Sequence, residues 1–180
     1  LGDEVCASLC KRYYDESTSM TDRLAMLDLL ENYAPHLASD AFAHFYERHS
    51  DNTLVMNKYF ALLASSRREG TLERVIALQE DKAFDEKVPN LVRALIGSFA
   101  RNLVAFHDLS GSGYDFVADK IIEIDGFNPQ IASGLAGAFK SYEKLCPIQK
   151  GKMGSALERI KNHPGLSNNV NEIVSKVLNY

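Results

Sequence analysis

Apolar residues return every third or fourth position along nearly the whole chain, and polar, glycine or proline breaks interrupt them at intervals of roughly 10–15 residues. That rhythm is the strongest constraint on the fold. Three-to-four spacing puts side chains on one face of a helix, and no period-two run of any length offers a strand. A chain written this way buries its stripes only by stacking helix on helix.

Val5, Leu9 and Tyr13 mark a first helix from Leu1 to Tyr14. A second carries Leu24, Leu27, Leu30 and Tyr33, with Ser19 or Thr21 as its cap and Pro35 as its stop. Leu37 to His49 follows with Phe42, Phe45 and Tyr46 inward, and the next helix bears Val55, Tyr59, Leu62 and Leu63. Gly70-Thr71 ends it and opens a helix with Leu72, Val75, Ile76 and Leu78, then a looser stretch leads to Pro89. Val92, Leu95, Ile96 and Phe99 form the next stripe, followed by Tyr114, Val117, Ile121 and Ile124. Asn128-Pro129 starts a helix burying Ile131, Leu135, Ala138 and Phe139. Met153, Ala156, Leu157 and Ile160 come next, and Ser167 caps a last helix with Val170, Ile173, Val174, Val177 and Leu178. The expected fold is all-α: about ten helices in stacked antiparallel pairs, an α-solenoid of the degenerate HEAT or armadillo kind. No domain boundary is expected between residues 1 and 180.

Charge and cysteine content exclude several function classes. The 24 acidic and 20 basic residues alternate, leaving a net charge of -4 and no basic footprint for nucleic acid. No apolar run reaches the 18 or so residues of a membrane span, so neither nucleic acid nor membrane is an expected partner. Cys6, Cys10 and Cys146 form an odd set without disulfide or zinc-ribbon spacing, which predicts buried free thiols and a cytoplasmic or other reducing compartment. The chain enters a helical pattern at Leu1 without a methionine, as a fragment of a longer protein does.

Few residues carry chemistry. His44 and His49 are five apart, so they fall on different helix faces, and Glu47 is not placed as the base of H-E-x-x-H; they read as surface or helix-end histidines. His107-Asp108 with Ser110 and Ser112 supplies the residue types of a hydrolase triad, but without a nucleophile elbow it reads as a turn capping the Tyr114 helix. Ser110 to Gly113 lacks the lysine of a P-loop. The carboxylates fall on expected solvent faces. No catalytic residue and no metal ligand is assigned. Two side chains stand apart. Arg93 shares its face with Gly97 and Ala100, so it either snorkels or reaches into open space. Gln130 lies in the first turn of the Pro129 helix and begins a stripe of Gln130, Gly134, Gly137 and Ser141, which is odd for a solvated face.

The order of motifs adds a further reading. TLERVIALQEDKAFD, VPNLVRALIGSFARN, AFHDLSGSGYDFVAD, NPQIASGLAGAF and LSNNVNEIVSKVL, with Met20-Thr21-Asp22-Arg23 and Ala43 to Arg48, closely resemble the C-terminal region of aminopeptidase N, the bacterial-type alanyl aminopeptidases. The resemblance implies a C-terminal fragment of a larger zinc aminopeptidase, a helical superhelix that walls an internal chamber and controls peptide access. It implies that Arg93 matches a family arginine facing the chamber, that Gln130 matches a family glutamine near bound substrate or inhibitor, and that Gly134 stands where the family usually has an arginine. Arg93, Gln130 and Gly134 are therefore the expected substrate-channel residues. Zinc is expected in the catalytic domain of the parent chain and not in this part, with that domain and peptide substrates as partners. A free-standing helical scaffold binding a protein or peptide is the alternative.

Overall fold

The computed structural model describes residues 4–179, all of whose regular structure is helical; the expected helix start at Leu1 lies outside them. The helices are α1 (Glu4–Glu16), α2 (Met20–Tyr33), α3 (Pro35–His49), α4 (Thr53–Ala64), α5 (Thr71–Leu78), α6 (Pro89–Phe99), α7 (Ser112–Asp125), α8 (Pro129–Ala136), α9 (Pro147–Lys161) and α10 (Asn168–Leu178). Their starts follow from local chemistry. The side chains of Ser19, Asn52, Asn128 and Ser167 accept hydrogen bonds from first-turn amides, and proline occupies the opening turns of α3, α6, α8 and α9. After Ala136 the chain tightens into a 3₁₀ segment, Gly137–Lys144. This changes the expected face: Ala138 is only half-buried, while Ile131, Ala132, Leu135, Ala136 and Phe139 go inward.

Each helix packs chiefly on near neighbours in sequence, the property that defines a helical stack. Helices α1, α2 and α3 enclose a small core of Tyr14, Leu27, Leu30, Phe42 and Phe45. A larger core joins α4 through α10, with Phe60, Leu95, Phe99, Phe106, Tyr114 and Phe139 fully enclosed. Helix α6 lies at its centre against α4, α5 and α8, so from Leu91 to Ala100 every side chain except that of Arg93 is buried. Tyr59 touches both cores, and burial followed by the charge of Asp81 pushes its phenol up to about 12.

One joint rests on a buried charge. Glu31, expected on a solvent face, is 2% exposed; its Oε1 accepts from Ser66 Oγ at 2.8 Å, Arg74 Nη2 at 2.7 Å and Arg68 Nη1 at 3.4 Å. Its partners lie 35 to 43 residues away, so no local pattern announces the pair. Asn102 closes the same joint by donating to the carbonyl oxygens of Ala64 and Ser66. A second buried carboxylate, Asp125, accepts from the Ser167 amide at 2.7 Å and its hydroxyl at 2.5 Å, tying the end of α7 to the start of α10.

Other expectations change. On α1 the stripe is inverted: Val5 and Tyr13 are 64% and 57% exposed, while Tyr14 is buried and donates to the Ala41 carbonyl oxygen at 2.9 Å. Ala7, Cys10 and Tyr14 share the same helical spacing, and only the neighbouring helices decide between the two faces. On α4 the inward residues are Met56, Phe60, Leu63 and Ala64, because α6 meets that helix one residue around from the Val55–Tyr59 line. The thiols are free, but Cys6 and Cys146 are exposed and Cys10 is half-buried.

Candidate functional site

Helix α6 and the turn that follows it bring Arg93, Gly97, Ala100 and Arg101 to one wall of a cleft, and α8 with the following 3₁₀ turn brings Gln130, Gly134 and Gly137 to the other. The cleft has a volume of roughly 390 Å³. The three expected channel residues Arg93, Gln130 and Gly134 therefore meet in one place, although 41 positions separate Arg93 from Gly134 in sequence. Ser141, the last member of the expected stripe, is not among the lining residues; its hydroxyl turns back to the Ala138 carbonyl.

The α8 side of the cleft is bare. A Cβ built on Gly134 or Gly137 would meet nothing within 4 Å, so these glycines do not serve close helix packing. They leave backbone open to the cleft, and Gly134, inside α8, does so at a cost of roughly 0.5–1 kcal/mol relative to alanine. At Gly97 a Cβ would stand in ordinary contact, 3.6 Å from Arg101 Nη1 and 3.8 Å from Leu135, so the Arg101 guanidinium lies back over this position.

Polar groups at the rim lack internal charge partners. Arg93 Nη1 donates to Asn90 Oδ1 at 3.1 Å, and Arg101 Nη2 reaches Ser98 Oγ at 3.5 Å. Neither guanidinium forms an ion pair with a carboxylate among the described residues, unlike Arg68 and Arg74. Gln130 is exposed at the first turn of α8, and its amide offers both a donor and an acceptor. Such a cleft suits an extended chain carrying carbonyl groups and a negative charge, and contains no nucleophile or general base. Arg101 is the residue that sequence reasoning missed. Its signal was available: four positions after Gly97, it occupies the helix face that glycine leaves empty.

The remaining chemical candidates are engaged elsewhere. His107 Nδ1 shares a 2.9 Å hydrogen bond with the Tyr114 hydroxyl, its carbonyl accepts from Gln149 Nε2, and burial lowers its pKa below the ordinary value. Ser110 and Ser112 bond to each other at 2.8 Å, and Ser110 Oγ accepts the first amide of α7. The glycines of this turn are structural: Gly111 has φ of 79°, with Lys152 packed where a Cβ would stand, and Gly113 passes within 2.8 Å, measured from its absent Cβ, of the Phe106 carbonyl oxygen. His44 Nδ1 bonds the Tyr14 hydroxyl at 3.0 Å and His49 packs on the Phe45 ring. Among the described residues no group of three or more His, Cys, Asp or Glu is arranged to hold a metal ion, and no helix is long and apolar enough to cross a membrane.

A family model described as DUF3458_C, a domain of unknown function with ARM repeats, matches residues 1–179. Aminopeptidase N of Caulobacter vibrioides is 36% identical over 167 residues, which are 92% of this chain and 19% of the relative. Aminopeptidase N of Haemophilus influenzae is 34% identical over 172 residues, 95% of this chain and 20% of the relative. Among solved structures, aminopeptidase A of Legionella pneumophila in complex with aspartic acid superposes with a TM-score of 0.92 at 28% identity, covering 98% of this chain and 21% of that one. The chain thus spans about a fifth of the length of these relatives.

Proposed function

This chain belongs to the DUF3458_C ARM-repeat family, the C-terminal helical domain of aminopeptidases, and we propose on that premise that it walls the chamber of a zinc aminopeptidase and controls peptide access to the metal. The observation that carries this reading is the α6–α8 cleft, where Arg93, Gln130 and the bare backbone at Gly134 converge without a catalytic group. Gln130 is matched to a peptide amide, Arg93 to a carbonyl or carboxylate, and open glycine backbone to the close approach of an extended strand. The resemblance implies that zinc would be held by the catalytic domain of the parent chain and would supply the activated water for peptide hydrolysis, while the residues of this helical stack would only admit and align the peptide. The role of the helical stack is to limit entry to unfolded peptides and to hold them in line. Gly134 leaves room where the resembling family carries an arginine, so this chamber accepts a bulkier or less anionic segment at that point.

An aminoacyl fluorogenic substrate tests the division of labour. The full-length parent protein is expected to turn it over and to lose that turnover with a chelator, while this chain alone is inactive. Zinc-dependent turnover by the isolated chain, or a full-length protein without aminopeptidase activity, overturns the reading; the second result favours a free-standing helical scaffold.

A further inference from the structure

Arg101 borders two cavities. Besides the cleft, it lines a neighbouring space of roughly 260 Å³ with Ser65, Arg67, Ser98, Leu103 and Val104. The wall of this second space is pinned from below. Asn102, 7% exposed, donates to the carbonyl oxygens of Ala64 and Ser66 at 3.0 and 2.7 Å, and its Oδ1 accepts the amides of Val104 and Ala105 at 3.0 and 3.1 Å. All four hydrogen-bonding positions of the Asn102 side chain are thereby used, which fixes the turn. On that fixed turn Leu103 and Val104 are held outward, 79% and 55% exposed. Beside them stand Arg67 and Arg101, neither ion-paired with a carboxylate among the described residues. Two apolar side chains on a rigid turn next to two uncompensated cations are complementary to one chemical group, an apolar residue that ends in a carboxylate.

We propose that this second cavity is a subsite for the C-terminal residue of a bound peptide, with Arg101 and Arg67 on its terminal carboxylate and Leu103 and Val104 against its side chain. The proposal rests on the peptide-chamber reading and names the end of the peptide that the domain holds. Helical rise puts Arg93 about 9 Å from the end of α6 at Phe99, and Arg101 lies in the turn just beyond, a span that an extended peptide covers with about three to four residues. A peptide of that length or more reaches from the first cleft into the second; a dipeptide does not.

Fluorescence anisotropy tests this without catalysis. The full-length protein is titrated into Ala-Ala-Ala-Ala-Leu blocked at its N-terminus by fluorescein, once as the free acid and once as the C-terminal amide. The free acid is expected to bind about tenfold more tightly, the scale of one charge-assisted hydrogen-bonded pair. Arg101→Ala removes the difference, Arg101→Lys keeps part of it, and Lys58→Ala, an exposed cation on α4, leaves it intact. Equal affinity of acid and amide, or a difference that survives Arg101→Ala, overturns the proposal. So does an amide-terminated peptide with glutamate as its last residue binding as tightly as the free acid, since the carboxylate is then read from a side chain. Because the label blocks the N-terminus, these outcomes do not depend on aminopeptidase activity. A parent protein that hydrolyses nothing but discriminates acid from amide separates the two readings.

Discussion

Arg68 and Arg74 converge on a carboxylate that is 2% exposed, whereas Arg93 and Arg101 border a cleft with an asparagine and a serine as their bonded partners. Both pairs belong to the same stack and lie within a short stretch of sequence. The first pair is consumed by the fold: it neutralises Glu31 and locks α2 to the turn between α4 and α5. The second is left over by the fold, and the helix beneath it packs through Val92, Leu95, Ile96 and Phe99 without its help. Loss of an arginine should therefore register as instability in one case and as altered ligand preference in the other.

The largest effect breaks the first side of this contrast. Glu31→Ala strands two guanidiniums and the Ser66 hydroxyl, and is expected to cost about 3 kcal/mol in a urea titration; the partial water access of Arg68 and Arg74 holds the cost at the low end for a broken buried pair. A loss below about 1 kcal/mol would mean that water replaces the carboxylate at no cost and that the contrast is false. Asp125→Ala sharpens it, because that carboxylate is held by an amide and a hydroxyl with no cation. The expected cost is about 2 kcal/mol, read as a shift in midpoint with an unchanged slope.

On the cleft side the sign reverses. Gly134→Ala is expected to stabilise the protein by roughly 0.5–1 kcal/mol, since its Cβ meets no neighbour and helix propensity improves. Destabilisation would show that the bare wall serves packing after all. The smallest effect touches neither arginine pair. Burial lowers the pKa of His107, and burial followed by the charges of Arg48 and Arg23 lowers that of His49. A histidine lowered in the folded state binds its proton more readily unfolded. Stability is therefore full above about pH 6.5 and declines as the pH falls from there toward the folded-state values. His107→Gln should flatten part of that decline in thermal melts taken across this range.

Much of this architecture is legible in the amino-acid sequence. The cap at Ser167 and the buried stripes at Tyr114 to Ile124 and Met153 to Ile160 follow from spacing and side-chain type alone, whereas the choice of Ser19 over Thr21 as the α2 cap comes from the fold. Arg93 and Gln130 stood out because a long polar side chain among glycines and alanines has no local reason to be there. What sequence could not supply was the identity of distant partners. Glu31 looks like any surface carboxylate until arginines about forty residues away are brought onto it. On α1, two faces have equal claim to the core, and the choice belongs to α2 and α3. Arg101 carries a signal in its spacing from Gly97, but the cavities it borders form only between packed helices.

The central claim is that the α6–α8 cleft touches substrate while its arginines do nothing for the fold. Arg93→Ala in the full-length protein tests it most directly, with kcat/KM measured over peptides of increasing length and varied side chains, and a thermal melt on the same sample. The account predicts a melt within about 0.5 kcal/mol of the parent and a peptide preference changed by about tenfold. Unaltered kinetics across the whole series would contradict it.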